Sequence, residues 1–180
     1  MSHPRILAID PGTKEIGVAI LDNDALVYYG VKTVRTRRPP QAVLRSVACI
    51  IKRLIADYDP EVLAIEKTFI IQKSAALLTV VAEEIKAVAG GQGLVIFEYA
   101  PMVVRKLICQ TGKATKSEVA KAVALRFPEL SRYLNRQSKW EAIYWANMFD
   151  AVALAVCGYA QIAGVGTDSN AVISKQDDNQ

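Results

Sequence analysis

The chain has 180 residues and a mass of 19.7 kDa, with 52% hydrophobic and 22% charged residues. These values suit one domain with a sizeable core and exclude disordered and fibrous classes. The formal net charge is +4, but the segment from Gly164 onward holds three acids against one lysine, which leaves 21 basic and 15 acidic residues before it. A phosphate-bearing partner fits that balance, and so does an ordinary solvated surface.

His3, the only histidine, lies near the chain end, so neither a histidine-based zinc site nor a serine-histidine triad is expected and any chemistry should fall to carboxylates. Cys49, Cys109 and Cys157 form no Cys-x-x-Cys pair and each lies in an apolar helical pattern; they are expected to be buried thiols in a reducing compartment. No charged-then-apolar leader precedes the first strand, which points to the cytoplasm.

Three strand-like runs come first, Arg5 to Ile9, Ile16 to Leu21 and Ala25 to Val34, separated by turn residues and predicting an antiparallel meander. After Pro39-Pro40, apolar residues at Val43, Leu44, Val47, Ile50, Ile51, Leu54, Ile55 and Tyr58 have the spacing of an amphipathic helix. A short strand, Val62 to Ile65, follows; strand, helix, strand is a crossover, so this strand should lie parallel to an earlier one. A second helix is predicted from about Ser74 to Ala89 and a last strand from Leu94 to Tyr99, implying another crossover.

Thr115-Lys116-Ser117-Glu118 has the spacing of a capping box, and the helix it opens should stop before Pro128. Ser138 to Glu141 repeats the pattern and opens a final helix to about Ala163. This helix is apolar almost all round from Ile143, yet carries Asp150 near its middle, where insertion in a bilayer costs about 2.5 to 3.5 kcal/mol. It is read as a buried helix packed on a sheet, without a membrane span. Residues 1–163 therefore form one domain and 164–180, which lack periodicity, a disordered tail.

Asp10 follows the first strand in Ile9-Asp10-Pro11-Gly12-Thr13, and Glu66 follows the fourth in Ala64-Ile65-Glu66. Taken singly, the first reads as a turn and the second as a solvated strand end. Asp150 is different, because an acid on so apolar a helix is costly to bury without a partner or metal. If the first and fourth strands are parallel neighbours, Asp10 and Glu66 emerge at one sheet edge, where the last helix can bring Asp150. Three hard oxygen donors without histidine or cysteine favour magnesium or manganese, and two such ions would support in-line phosphodiester hydrolysis.

Ile6 to Gly12 with Gly17-Val18-Ala19, then Ala64-Ile65-Glu66 with Phe69, Pro101 through Lys116, and Asp150 to Ala155 together resemble the RuvC Holliday junction resolvases over residues 5 to about 160. The resemblance implies a ribonuclease H-like fold: a mixed five-stranded α/β sheet, three antiparallel strands then two parallel ones, flanked by helices. It also implies a homodimer that holds a four-way DNA junction and nicks two opposed strands with magnesium. A branch-migration helicase is a partner of such enzymes.

By motif match Asp10, Glu66 and Asp150 become metal ligands, and Asn147 stands where the family pattern has a further aspartate. Positions 147 and 150 are one helical turn apart, so the amide supplies an oxygen but no charge. That departure keeps open a second reading, a branched-DNA-binding protein with little or no cleavage. A third is an RNA-processing nuclease of the same fold, as in the YqgF group, whose pattern resembles Gly12 to Ala19.

Lys116 falls at the first position of its helix, where backbone N–H groups favour anions, and the resemblance places a catalytic lysine there. Lys113, Arg105 and Lys106 are candidates for the same DNA surface. The resemblance makes Phe69 a wedge or stacking platform for junction bases. The basic run Lys32, Arg35, Arg37 and Arg38 is a candidate track for a DNA arm, with exposed loop charge as the alternative. The stripe Leu77, Leu78, Val81, Ile85 and Val88 on the second helix suits either core packing or the family's dimer interface.

Overall fold

A computed structural model of the chain describes residues 4–34, 39–68, 76–135 and 138–164. Five strands, β1 (Ile6–Asp10), β2 (Glu15–Asp22), β3 (Ala25–Thr33), β4 (Val62–Glu66) and β5 (Val95–Tyr99), form one sheet in the order β3-β2-β1-β4-β5. β1 and β2 pair antiparallel, as do β2 and β3, whereas β1 with β4 and β4 with β5 are parallel. The expected mixed sheet is thus present, with β1 at its centre and Ile6, Leu7, Ala8 and Ile9 fully buried. The β2–β3 turn places Asn23 at φ 53°, a left-handed conformation that asparagine tolerates better than most residues.

Helices cover both faces. α1 (Pro40–Tyr58), with proline in its first turn, turns Val43, Val47, Ile51, Leu54 and Ile55 onto one face of the sheet. α2 (Ala76–Gly91) adds Val81, Ala82, Ile85 and Ala89 to the same layer. On the opposite face lie α3 (Pro101–Cys109), α4 (Lys116–Arg126) and the long α5 (Lys139–Ile162). α3 and a 3-10 turn at Pro128–Tyr133 were not legible as elements, because nine and six residues are too few to establish a period.

α5 contains the apolar stretch Trp140–Ile162, long enough by length and composition to cross a membrane, but its middle is a core element. Every residue from Ala151 to Cys157 is buried, packed with Ala8, Ala19 and Ala64 of the sheet. Small side chains let the helix lie close: a Cβ on Gly158 would meet Ile6 at 3.3 Å and Ala64 at 3.4 Å.

One expectation is corrected. Of the three cysteines only Cys157 is buried; Cys109 is partly exposed and Cys49 is exposed. Cys49 lies off the α1 stripe that faces the sheet, which a helix of mixed apolar composition conceals until its inward side is known.

Candidate active site

Parallel pairing of β1 with β4 in the register Ile9↔Ile65 sets Asp10 beside Glu66, on adjacent strands whose spacing is about 4.8 Å. Side chains alternate across a strand, so Asp10 shares a face with Ile6 and Ala8, and Glu66 shares it with Val62 and Ala64. That is the face α5 crosses. Antiparallel pairing places Gly17 directly opposite Asp10.

Gly17 is where the helix comes closest. A Cβ built on it would lie 1.8 Å from the Asn147 carbonyl oxygen and 3.2 Å from the Asp10 Cβ. Only glycine admits such an approach of backbone to backbone. One turn further along α5, Asp150 lines a pocket with Glu66, Pro101, Val104, Arg105, Lys116 and Val119. The α4 N-terminus supplies the lysine: the Thr115 side chain accepts from the Glu118 N–H while Glu118 accepts from the Thr115 N–H at 2.7 Å. This capping box fixes the first turn of α4. Lys116 Nζ then reaches Asp150 Oδ2 at 2.5 Å.

The electrostatics bind these residues into one unit. Burial, then the charges of Asp150 and Glu66, raise Asp10 well above its ordinary carboxylate range, with Lys116 opposing. Burial and then Asp150 raise Glu66, while Lys116 and Arg105 lower it. Burial would lower the Lys116 pKa, but the charge and hydrogen bond of Asp150, with Asp10 and Glu66, outweigh it and raise the net value. Among the described residues, no three His, Cys, Asp or Glu side chains close around a common ion position. The Lys116 ammonium is the cation that Asp150 holds in this arrangement. The donor set is nevertheless one of hard oxygens under mutual repulsion, which a divalent cation of the magnesium type relieves.

The remaining candidates divide. Arg105 lines the pocket, whereas Lys106 and Lys113 are exposed outside its lining. Lys32 lies on β3 with its Nζ 5.1 Å from the centre of the Tyr28 ring. Phe69, Arg35, Arg37 and Arg38 lie outside the described residues, as do Ser74 and all of the expected tail except Gly164. Asn147 is half-buried, and its Nδ2 donates to Glu15 Oε2 at 3.5 Å. Glu15 was not among the expected site residues: in sequence it follows Lys14 in a turn and carries no motif. Its only signal is positional, since Glu15 and Gly17 lie two apart on one strand and so share a face.

A mixed sheet in this order, with carboxylates at the ends of two parallel strands and a third on the helix crossing them, defines a protein of ribonuclease H-like fold. The family model described as crossover junction endodeoxyribonuclease RuvC matches residues 6–158, and the chain belongs to that family. The protein named crossover junction endodeoxyribonuclease RuvC of Citrifermentans bemidjiense is 28% identical over 174 residues, covering 89% of this chain and 94% of its own. The Thermus thermophilus RuvC structure superposes with a TM-score of 0.72 at 20% identity, over 89% of this chain and 97% of its own. The structure of Thermus thermophilus RuvC in complex with Holliday junction substrate superposes with a TM-score of 0.71 at 20% identity, over 90% and 97%.

Proposed function

We propose that the pocket between β4, α3, α4 and α5, with Asp10 of β1 beside Glu66, is the catalytic centre of a structure-selective endonuclease that resolves Holliday junctions by phosphodiester hydrolysis. The observation that carries this reading is the convergence of Glu66, Asp150 and Lys116 in one pocket, with Asp10 on the strand next to Glu66. The family acts with divalent metal, and here magnesium or manganese, two ions per site, would be held by Asp10, Glu66 and Asp150 with Asn147 alongside. When bound, such ions activate the attacking water and stabilise the leaving oxygen.

The chain's own residues do the rest. Rigid β1 and β4 fix the spacing of Asp10 and Glu66, so little reorganisation is needed as charge develops. Lys116, paired with Asp150 and largely exposed, can turn its ammonium to the scissile phosphate. The N-terminus of α4 adds the positive end of its helix dipole to the same anion site. Arg105, Lys106 and Lys113 extend the surface toward flanking phosphates, and Arg35, Arg37 and Arg38 serve a DNA arm. Phe69 follows Glu66 closely enough to meet bases at the junction centre. A homodimer presents two such pockets to two strands, and the outward Val80 and Ala87 of α2 are available to a second copy, while Val81 and Ile85 belong to the core. We place this enzyme in the cytoplasm, working beside a branch-migration helicase.

The second reading, a branched-DNA-binding protein with weak cleavage, draws on one observation: position 147 carries an amide that donates to Glu15 in place of an acid. Cleavage of a synthetic four-way junction, beside linear duplex and hairpin RNA and with and without magnesium, separates the readings. Magnesium-dependent nicking of the junction alone supports the first. Tight junction binding without nicking supports the second, and cleavage of the hairpin RNA in preference overturns both. Asp10→Asn should keep junction binding and abolish nicking.

A further inference from the structure

α5 brings one carboxylate to the site, Asp150, and one turn before it position 147 is an uncharged asparagine. The residue that meets Asn147 is Glu15, 132 positions away in sequence, whose carboxylate accepts from the amide nitrogen. Glu15 belongs to the same strand face as Gly17, and Gly17 is paired with Asp10. Across an antiparallel pair, such a diagonal separation is about 7 to 8 Å, within reach of a long side chain. Both Glu15 and Asn147 are half-buried, so their interaction is less screened than one in open solvent.

An amide has two divergent branches, and fixing the nitrogen fixes the oxygen. With Nδ2 held by Glu15, Asn147 Oδ1 is turned away from that carboxylate and keeps its lone pairs for another partner. The backbone of Asn147 already rests on Gly17, beside Asp10, so the whole residue is held at the edge of the acidic site. Two consequences follow from one contact: the orientation of the amide is set, and a negative charge lies next to position 147 although position 147 has none.

We propose that Glu15 is a positioning residue of the metal centre, supplying from β2 the charge that α5 lacks and orienting the Asn147 amide as a neutral oxygen donor. This rests on Asp10, Glu66 and Asp150 being the metal site. It also makes Glu15 and position 147 alternative homes for one carboxylate.

Manganese binding to the purified full chain, titrated by calorimetry or by the Mn2+ electron paramagnetic resonance signal without DNA, tests the idea apart from turnover. Glu15→Gln keeps the size of the side chain, and thermal melting verifies its fold. Loss of an outer partner of a metal ligand costs roughly 10- to 100-fold in affinity, and a weakening of that order is expected. Glu15→Asp, which keeps the charge on a shorter arm, should recover part of the loss. Asn147→Asp should bind Mn2+ more tightly than the parent, and adding Glu15→Gln to it should leave the curve where Asn147→Asp put it. Equal losses from Glu15→Gln in both backgrounds would mean a general structural role and overturn the proposal. So would unchanged binding by a folded Glu15→Gln. Asp10→Asn is the control for the underlying reading: if it binds Mn2+ like the parent, the metal site itself is misassigned, whereas its failure beside a normal Glu15→Gln sinks only the role given to Glu15.

Discussion

Lys116 Nζ lies 2.5 Å from Asp150 Oδ2, joining the first turn of α4 to the middle of α5 across 34 residues. The lysine side chain is 64% exposed and the aspartate 17%, so the pair sits at the mouth of the site with its cation toward solvent. A phosphate that arrives with its own divalent counterions can therefore exchange partners with this pair without unfolding anything. Lys116→Ala is expected to lower single-turnover nicking by about 10²- to 10³-fold, the scale for removing one group that stabilises transition-state charge. Junction affinity, built from many phosphate contacts, should fall far less. Measured by gel shift and quenched cleavage, an unchanged rate at normal affinity would return Lys116 to the solvated surface.

Thr115 is what aims that lysine. Its hydroxyl oxygen accepts from the Glu118 N–H, and Glu118 closes the box at the Thr115 N–H. Thr115→Ala should cost about 1 kcal/mol of stability in a denaturant titration, the usual worth of an N-cap. It should also lower turnover, because a frayed first turn lets Lys116 wander from Asp150. Full turnover in a protein destabilised by that amount would show that the cap serves the helix alone.

The acids set a pH dependence whose sign is fixed. Asp10 and Glu66 have raised pKa values, so between the ordinary carboxylate range and those raised values the folded chain holds more protons than the unfolded one. Stability of the metal-free protein should therefore fall as pH rises through this window. Lys116, whose pKa is raised, remains charged throughout it, and Glu118, whose pKa its bonds to Thr115 lower, gives up its contribution only below the ordinary carboxylate range. Magnesium competes with the same protons. The melting temperature should be higher in mild acid than at pH 8 without metal, and magnesium should raise it at pH 8 and little in acid. A metal-induced rise that is equal at both values would detach the metal from these two acids.

Much of this arrangement could be read from the chain. Two crossovers and a meander determined the sheet, because strand runs bounded by Pro11-Gly12 and Asp22-Asn23-Asp24 alternate with one clear amphipathic helix. Asp150 stood out as an acid on an apolar helix, whereas Asp10 and Glu66, which singly read as a turn and a solvated strand end, became candidates only through the parallel pairing of their strands. Glu15 did not, since nothing local distinguishes a glutamate that begins a strand from one that merely faces water. Its meaning depends on α5 arriving over β2, a long-range event. Cys49 failed for the related reason that the inward side of α1 is chosen by packing.

Gly17 gives the most severe test of how the site is built. It stands opposite Asp10 on β2, under the Asn147 carbonyl, where a methyl group would lie 1.8 Å from a backbone oxygen. A flexible side chain can step aside from an added methyl, but here the obstacle is the main chain of a helix whose next turns are buried against the sheet. Gly17→Ala must therefore push α5 outward. Overpacking typically costs about 1 to 3 kcal/mol, and a clash with backbone belongs at or above the upper end. Two quantities should change together: the midpoint of denaturant unfolding should drop, and nicking should fall further than the unfolded fraction explains, because Asp150 rides on the displaced helix. Gly158→Ala is the matched comparison, since the nearest atoms its methyl would meet on the sheet are side-chain atoms of Ile6 and Ala64, at 3.3 and 3.4 Å. That variant should lose less stability and keep its nicking rate per folded molecule. If Gly17→Ala cleaves normally once corrected for its folded fraction, the spacing between β1 and α5 is not what assembles the acids.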